Sequence, residues 1–126
     1  MLERLLSEAK GAHSGEICGL LLGRNGFIDE AVSIANVAKD PECSFLLDPA
    51  AHLAGSRKAR QAGRRIVGHY HSHPAGNPEP SSADAQAAEE QGLYWLILAA
   101  GEARLLISRR GGEILGAFGG IEIELF

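Results

Sequence analysis

The sequence predicts an α/β (α+β) layer fold, with a mixed β-sheet flanked by helices. Two observations favour this class. Short apolar runs alternate with helical patterns along the chain, and turn signals near both ends indicate hairpins. The chain has 126 residues, of which 45% are apolar and 22% are charged, as is ordinary for a globular protein. We therefore expect one domain, spanning residues 1–126.

The N-terminal third predicts a helix followed by a hairpin. Apolar residues recur at helical spacing up to Gly11, which should end the helix (Leu2, Leu5, Leu6 and Ala9). The apolar run 16–23 is typical of a buried strand. A turn signal at 24–26 then leads into segment 27–37, its expected antiparallel partner.

The middle of the chain predicts a second helix between two strands. Segment 44–47 is a short apolar strand, and Asp48-Pro49 is an N-cap followed by proline at the first helical position. The helix should stop near Gly63. Its basic cluster, 57–65, is interpreted as a solvated helix face that runs into the next strand.

The second half predicts a central strand, a helix capped by Ser81 or Ser82, and several further strands. The helix pattern covers 82–92, which is rich in good helix formers. The predicted strands are 64–71, 93–100, 103–109, 112–118 and 121–126. For the last of these, pairing within the sheet is the simpler expectation than pairing with a second copy.

Charge and hydropathy argue against several classes of protein. The net charge of −4 and the absence of a basic stripe give no reason to expect nucleic-acid binding. The longest apolar run, 93–100, is too short to cross a bilayer, and the N-terminus lacks the apolar core of a secretory signal. Cys18 and Cys43 do not make a disulfide framework. We expect reduced thiols in a cytoplasmic protein that is not membrane-bound.

Three of the five histidines lie within five residues: His69, His71 and His73. On an extended strand these alternate residues project to one side, where two imidazoles can bind one metal ion. Catalytic zinc sites usually have three protein ligands and a water. Asp84 is the candidate third ligand, because the proline-rich loop 74–80 can bring back a carboxylate from the next helix.

Each feature alone also has an ordinary structural explanation. A His-x-His pair is a weak metal signal, and Ser81-x-x-Asp84 is a common helix start with an N-cap and an acidic third residue. Glu16 alone would be an edge charge on a buried strand. These explanations stay open until the features are considered together.

Together the features resemble the JAMM (MPN-plus) zinc metallopeptidase signature. That signature has an upstream glutamate, here Glu16, then His-Ser-His-Pro, here 71–74. Seven residues follow the second histidine, here 74–80, and Ser-x-x-Asp comes next, here Ser81 and Asp84. The sequence around Glu16 and before the serine is similar to the compact prokaryotic branch. The resemblance runs from about residue 2 to about residue 118, and the long motif with strict spacing is highly specific.

The resemblance implies a fold similar to that of cytidine deaminases and a role for each motif residue. His71, His73 and Asp84 would bind one Zn²⁺ per chain, with a water completing the site. Glu16 would be the general base that carries a proton from this water to the leaving amine. Ser81 would donate a hydrogen bond to the oxyanion.

Five residues near or outside the motif carry smaller predictions. His69 could support the metal ligands, but a packing or hydrogen-bonding role is favoured. Cys18 could border the site, but a small buried core residue is the favoured interpretation. Ser72 should point away from the metal and support the backbone. His13 and His52 have no evident partner and are expected at the surface.

The resemblance also implies hydrolysis of a peptide or isopeptide bond, commonly after the C-terminal Gly-Gly of ubiquitin or a ubiquitin-like protein. Compact relatives resemble enzymes that process ubiquitin-like sulfur carriers, whose tail could add to a strand edge. Three alternatives remain. They are a non-catalytic MPN scaffold, a deaminase-like enzyme, and a zinc peptidase acting on ordinary peptides or small amides. The deaminase signature of H-x-E with P-C-x-x-C is absent from the sequence.

Overall fold

The computed structural model describes residues 1–11, 16–24, 27–37, 47–74, 76–88, 90–121 and 124–125. Within these ranges the chain forms helices and strands that alternate as the sequence predicts. In chain order they are α1 (Leu2–Gly11), β1 (Cys18–Arg24), β2 (Phe27–Ile34), α2 (Pro49–Gln61), β3 (Arg65–Ser72), α3 (Ser82–Ala87), β4 (Tyr94–Ala99), β5 (Glu102–Ser108), β6 (Phe118–Gly120) and β7 (Glu124–Leu125).

The described strands make one seven-stranded mixed sheet in the order β6-β5-β4-β3-β1-β2-β7. The pairs β3–β4 and β2–β7 are parallel, and the others are antiparallel. Strands β3 and β1 lie side by side near the middle of the sheet, so that Cys18 pairs with His71. The chain segment just before β1 therefore lies beside the carboxyl end of β3.

The sheet has helices on both faces because its strands alternate two sets of apolar side chains. One set packs against Leu5 of α1 and includes Leu21 and Tyr94. Leu20, on the other face of β1, packs with Ala59 of α2. Trp95 packs on a cluster that also takes in Ala85 of α3. The strand register places His69 between Leu20 of β1 and Trp95 of β4, so His69 and His71 point to the face with α2 and α3.

The central strands approach each other closely at Gly68. A Cβ added at Gly68 would lie 2.0 Å from the carbonyl oxygen of Tyr94, far inside van der Waals contact. A side chain here would force β3 and β4 apart immediately below the histidines. The glycine in the predicted strand is therefore required by sheet packing.

Most of the predicted elements are confirmed. The first helix ends at Gly11, segments 16–23 and 27–37 contain an antiparallel pair, and β3 is a central strand. The helix α2 begins with Pro49, although within the described residues the Asp48 side chain makes no capping hydrogen bond. The basic cluster lies on an exposed helix face, as predicted. The last predicted strand pairs within the sheet through β7.

Two elements differ from the prediction. Segment 112–118 is not a strand, because Leu115 and Gly116 have φ of 54° and 68° and reverse the chain. Ile114 consequently forms an isolated bridge with Phe118, where β6 begins. The helix predicted over 82–92 ends at Ala87.

Tertiary hydrogen bonds account for the early end of α3. The Ser108 hydroxyl donates to the Glu90 carbonyl at 2.6 Å and accepts from the Leu93 N–H at 3.0 Å. These bonds hold the following segment against β5 instead of letting it continue as helix. Of predicted strand 44–47, Leu47 forms an isolated bridge with Asn36, and the remainder lies outside the described residues.

No helix in the described ranges is long and apolar enough to cross a membrane.

Candidate metal centre

The end of β3 carries the two histidines of the motif. His71 is fully buried, and His73 follows the last residue of the strand. The His73 backbone N–H donates to the Leu98 carbonyl at 2.8 Å, which continues the parallel pairing with β4 past the strand end. The two imidazole rings lie 5.0 Å apart between centroids, and their Nε2 atoms are 3.2 Å apart.

Asp84 reaches the same point because a capping box fixes the start of α3. The Ser81 backbone N–H donates to Asp84 Oδ2 at 2.8 Å, and the Asp84 N–H donates to Ser81 Oγ at 3.1 Å. Asp84 is buried even though it is a carboxylate. The helix-cap interpretation and the metal-ligand interpretation of Ser81-x-x-Asp84 are therefore compatible, since the cap orients the carboxylate.

The three side chains converge at one point with matched spacing. His71 Nε2 lies 3.2 Å from Asp84 Oδ1, and His73 Nε2 lies 3.2 Å from Asp84 Oδ2. Ligand atoms of a tetrahedral zinc with bonds of 2.0–2.1 Å are about 3.3–3.4 Å from one another. Two imidazole nitrogens and a carboxylate are also a donor set that zinc prefers. These residues fit a zinc ion.

A hydrogen bond in the loop selects the tautomer of His73. Its Nδ1 lies 2.9 Å from the carbonyl oxygen of Asn77. A carbonyl can only accept, so Nδ1 must carry the proton and donate. In the neutral imidazole this leaves the lone pair of Nε2 directed toward His71 and Asp84, as metal binding requires.

The ionisation of the three side chains also suits a cation. Burial opposes ionisation of Asp84, but hydrogen bonds from His71 and His73 outweigh it and hold the pKa of this carboxyl well below its usual range. Burial lowers the pKa of His71. The hydrogen bond with Asp84 raises the pKa of His73 above its ordinary value. A metal ion and a proton compete for Nε2 of His73, which makes metal affinity depend on pH.

Glu16 lies beside this group, just before β1. One carboxylate oxygen of Glu16 and one ring nitrogen each of His71 and His73 lie within 4.8 Å of one another. The side chain is 7% exposed, and its Oε2 has no hydrogen-bond partner among the described residues. Burial raises the pKa of Glu16 to about 7, despite the lowering effect of charge on His73. The carboxylate is thus close to the histidines and able to exchange protons near neutral pH.

The family model for prokaryotic homologs of the JAB domain matches residues 1–110. The chain belongs to the prokaryotic JAB family. It is a compact member of the JAMM/MPN class and an enzyme of the JAMM isopeptidase type.

Two curated relatives and one solved structure illustrate its place in the JAB family. The chain is 34% identical over 101 residues to a desampylase of Haloferax volcanii, and the alignment covers 75% of this chain and 73% of the relative. It is 29% identical over 96 residues to a probable TtuB-protein conjugate cleaving protease of Thermus thermophilus, covering 76% and 64% of the two chains. A solution structure of a protein from Desulfitobacterium hafniense has 28% identity and a TM-score of 0.81, covering 99% of this chain and 88% of that one.

Ser72 supports the backbone next to Glu16, as predicted for this position of the JAB motif. Its hydroxyl oxygen accepts a hydrogen bond from the Ile17 N–H at 2.9 Å, and its own N–H donates to the Ile17 carbonyl at 3.1 Å. Asn36, which sequence reasoning missed, donates from Nδ2 to the Glu16 carbonyl at 3.0 Å. In the sequence only the position of Asn36 just after β2 could have indicated its contact with Glu16, and a single asparagine after a strand is too common to predict such a contact.

His69 packs in the interior, in agreement with the favoured interpretation. Its ring lies edge-on to Trp95, with centroids 4.3 Å apart, and burial lowers its pKa to about 3. Trp95 also contacts the ring of His71 edge-on at 5.8 Å. The tryptophan thus packs behind one proposed metal ligand.

Cys18 is a buried core residue, as expected. Its thiol donates to the Ile34 carbonyl at 3.5 Å, and burial raises its pKa to about 11. Such a thiol is a poor nucleophile. His52 is exposed, as predicted, whereas His13 and Cys43 lie outside the described residues.

Ser81 is exposed at the start of α3, and its oxygen accepts from the Asp84 N–H. Since a hydroxyl can accept and donate at once, its proton remains available to a second group. The predicted oxyanion role of Ser81 is compatible with its capping role and stays a prediction.

Proposed function

We propose that this protein is a zinc-dependent isopeptidase that cleaves after the C-terminal Gly-Gly of a ubiquitin-like or sulfur-carrier protein. The observation that carries the proposal is the convergence of His71, His73 and Asp84 at mutual distances of 3.2 Å, with Glu16 beside them. Glu16 also lies within ligand distance of the two histidines, and we assign it to proton transfer because amide hydrolysis needs a free carboxylate beside the metal-binding set.

His71, His73 and Asp84 would hold one zinc ion per chain. Bound zinc lowers the pKa of a water molecule toward about 7 and withdraws charge from a carbonyl oxygen. The capping box keeps Asp84 in place for this task, and the Asn77 carbonyl keeps the tautomer of His73.

Glu16 would serve as general base and then as general acid. Without metal the pKa of Glu16 is about 7, and a bound cation nearby would lower it, so the ionised carboxylate could accept a proton from the attacking water. It then delivers this proton to the nitrogen of the leaving amine as the C–N bond breaks. Ser81 would donate its hydroxyl proton in a hydrogen bond to the carbonyl oxygen as negative charge develops there.

The names of the relatives support the substrate class. The Haloferax relative is a desampylase, and the Thermus relative is described as cleaving TtuB-protein conjugates. We propose a protein conjugate as the substrate here as well. A tail that ends in two glycines has no side chains to obstruct its approach to a buried centre.

The test is mass spectrometry of a ubiquitin-like carrier that ends in Gly-Gly plus a short extension, incubated with zinc-loaded wild-type protein. We expect cleavage directly after Gly-Gly, lost in Glu16→Gln and retained in Glu3→Gln, a matched change at an exposed position. Glu16→Gln should still bind one zinc ion per chain. Cleavage of ordinary peptides but not of the carrier would contradict the substrate class, and failure to bind zinc would favour a non-catalytic scaffold.

A further inference from the structure

A pocket of about 400 Å³ lies on the α1 side of the sheet, and His73 is the one proposed metal ligand in its described lining. We call it the His73 pocket. Its walls come from α1, from the segment just after β3, and from the end of β4 with the turn that follows. The residues used below are Leu6, Ala9, Lys10, His73, Leu98 and Ala100. This volume is at the lower end of the range for ligand-binding clefts, about 300–1,000 Å³.

The pocket is adjacent to the metal centre because the two share a residue. His73 lines the pocket, while Nε2 of the same ring faces Asp84. His71 points to the other face of the sheet, so a substrate whose scissile bond lies at the three ligand atoms would have to extend past the His73 ring to enter the pocket.

The volume of the pocket is more than the two glycines before the scissile bond require. The two glycines before the scissile bond carry no side chains, so they need a narrow slot and cannot fill this volume. The leaving segment, which departs with the amine, is the part next to the bond that has side chains. The pocket thus matches the leaving side.

The walls are formed before any substrate arrives. Ala100 and Gly101 have φ of 51° and 77°, the values of a tight two-residue hairpin turn between β4 and β5. An alanine in this conformation costs free energy, so the turn is held by the strands on either side. Pro74, on the opposite wall, restricts the backbone there.

Lys10 gives the pocket a positive charge, which favours a negatively charged group in the substrate. Of the described residues that line the pocket, only Lys10 carries a permanent charge near neutral pH, and the walls beside it are apolar (Leu6, Ala9 and Leu98). No carboxylate in the described part of the chain forms an ion pair with Lys10. We propose, on the basis of the function proposed above, that the His73 pocket binds the leaving segment of the substrate and that Lys10 selects a carboxylate in that segment.

The carboxylate could come from an acidic side chain or from the free C-terminus of a short leaving segment, and substrates distinguish these sources. One carrier ending in Gly-Gly is extended by a single residue: Glu-amide, Gln-amide, Lys-amide, Ala-amide, or Ala with a free carboxylate. The comparison of Glu-amide with Gln-amide tests a side-chain carboxylate. The two alanine substrates test a terminal carboxylate.

For wild-type protein we expect kcat/KM to favour the carboxylate in at least one of these two comparisons by about 3- to 10-fold, because Lys10 is exposed and partly screened. Lys10→Gln should abolish the preference, and Lys10→Glu should reverse it in favour of Lys-amide. Lys58→Glu is the matched control, since Lys58 is exposed on α2 at the other face of the sheet. It makes the same change in net charge and should behave as wild type.

Binding provides a readout that does not depend on catalysis. Fluorescence anisotropy of the labelled extended carriers with metal-free Glu16→Gln protein should show the same order of affinity, and Lys10→Glu added to that background should reverse it. A wild-type enzyme that cleaves all five substrates equally, or a preference that survives in Lys10→Glu, would overturn the proposal. If no substrate is cleaved while anisotropy still follows Lys10, the proposed function fails and the pocket assignment stands.

Discussion

Removing the hydroxyl of Ser72 should weaken the protein and slow its reaction through one hydrogen bond. Ser72 is 2% exposed, and its oxygen accepts from the Ile17 N–H at 2.9 Å. In Ser72→Ala this donor has no side-chain oxygen to bond to, although the second bond between the two residues remains. Leaving a buried donor unsatisfied costs about 1–3 kcal/mol.

The same bond adjoins the proposed general base. Ile17 follows Glu16 directly, so loss of the bond loosens the segment that sets the distance from Glu16 to the histidines. A displacement of about 1 Å can cost on the order of 100-fold in rate. Because Asn36 still holds the Glu16 carbonyl, we expect a smaller loss, about 10-fold in kcat, with little change in KM.

Urea unfolding and steady-state cleavage of the carrier substrate measure the two effects separately. With an m-value of about 1–3 kcal/mol/M, the loss of about 1–3 kcal/mol should lower the urea midpoint by roughly 0.3–3 M. Ser108→Ala is the control, because Ser108 is also 2% exposed and also accepts a backbone N–H. Ser108 ends β5 beside the start of β4 and contacts the segment after α3, so the variant should lose stability but lose less kcat than Ser72→Ala.

Two results would refute the reasoning. An unchanged urea midpoint in Ser72→Ala would mean that the hydroxyl does not satisfy the Ile17 N–H. Equal losses of kcat in Ser72→Ala and Ser108→Ala would mean that general destabilisation, and not the position of Glu16, limits the rate.

Three further predictions concern the metal ligand, the buried acid and the sheet. Asp84→Asn keeps an oxygen for the helix cap but loses the charge, so Co²⁺ affinity, followed by absorption, should fall about 100-fold or more; equal affinity would contradict its role as a ligand. Folding raises the pKa of Glu16 from 4.5 to about 7, so the protonated form stabilises the metal-free protein. The difference in unfolding free energy between wild type and Glu16→Gln, measured in urea, should therefore fall as pH rises from 4.5 to 7 and then level off. A difference that does not change with pH would refute this. Gly68→Ala should lower the free energy of unfolding by about 3 kcal/mol or more, because the added Cβ meets the backbone of β4. In the same thermal unfolding experiment Gly11→Ala should be neutral, because its Cβ meets nothing within 4 Å. Similar stabilities of the two variants would show that β3 and β4 can separate at Gly68.

The sequence predicted the histidine pair and the helix cap because the residues of each lie within a few positions of one another. His71 and His73 are two residues apart, and the capping box that orients Asp84 spans only Ser81 to Asp84. Helical spacing of apolar residues likewise predicted α1, and a short apolar run predicted β1, because such patterns reflect which faces of an element are buried. The strand prediction for segment 112–118 was wrong because it, too, rested on a local apolar pattern alone. Its apolar residues satisfy a strand pattern, but positive φ at Leu115 and Gly116 turns the chain.

The sequence by itself determined the donor types, their spacing and the family. Tertiary structure alone decided that Glu16 lies beside His71 and His73, through the pairing of Cys18 with His71 across more than fifty residues of chain. It also decided that Ser72 and Asn36 hold the segment of Glu16, and that Lys10 lines a pocket shared with His73. Such contacts depend on strand register and on which helix covers which face of the sheet, and these follow from the packing of the whole core.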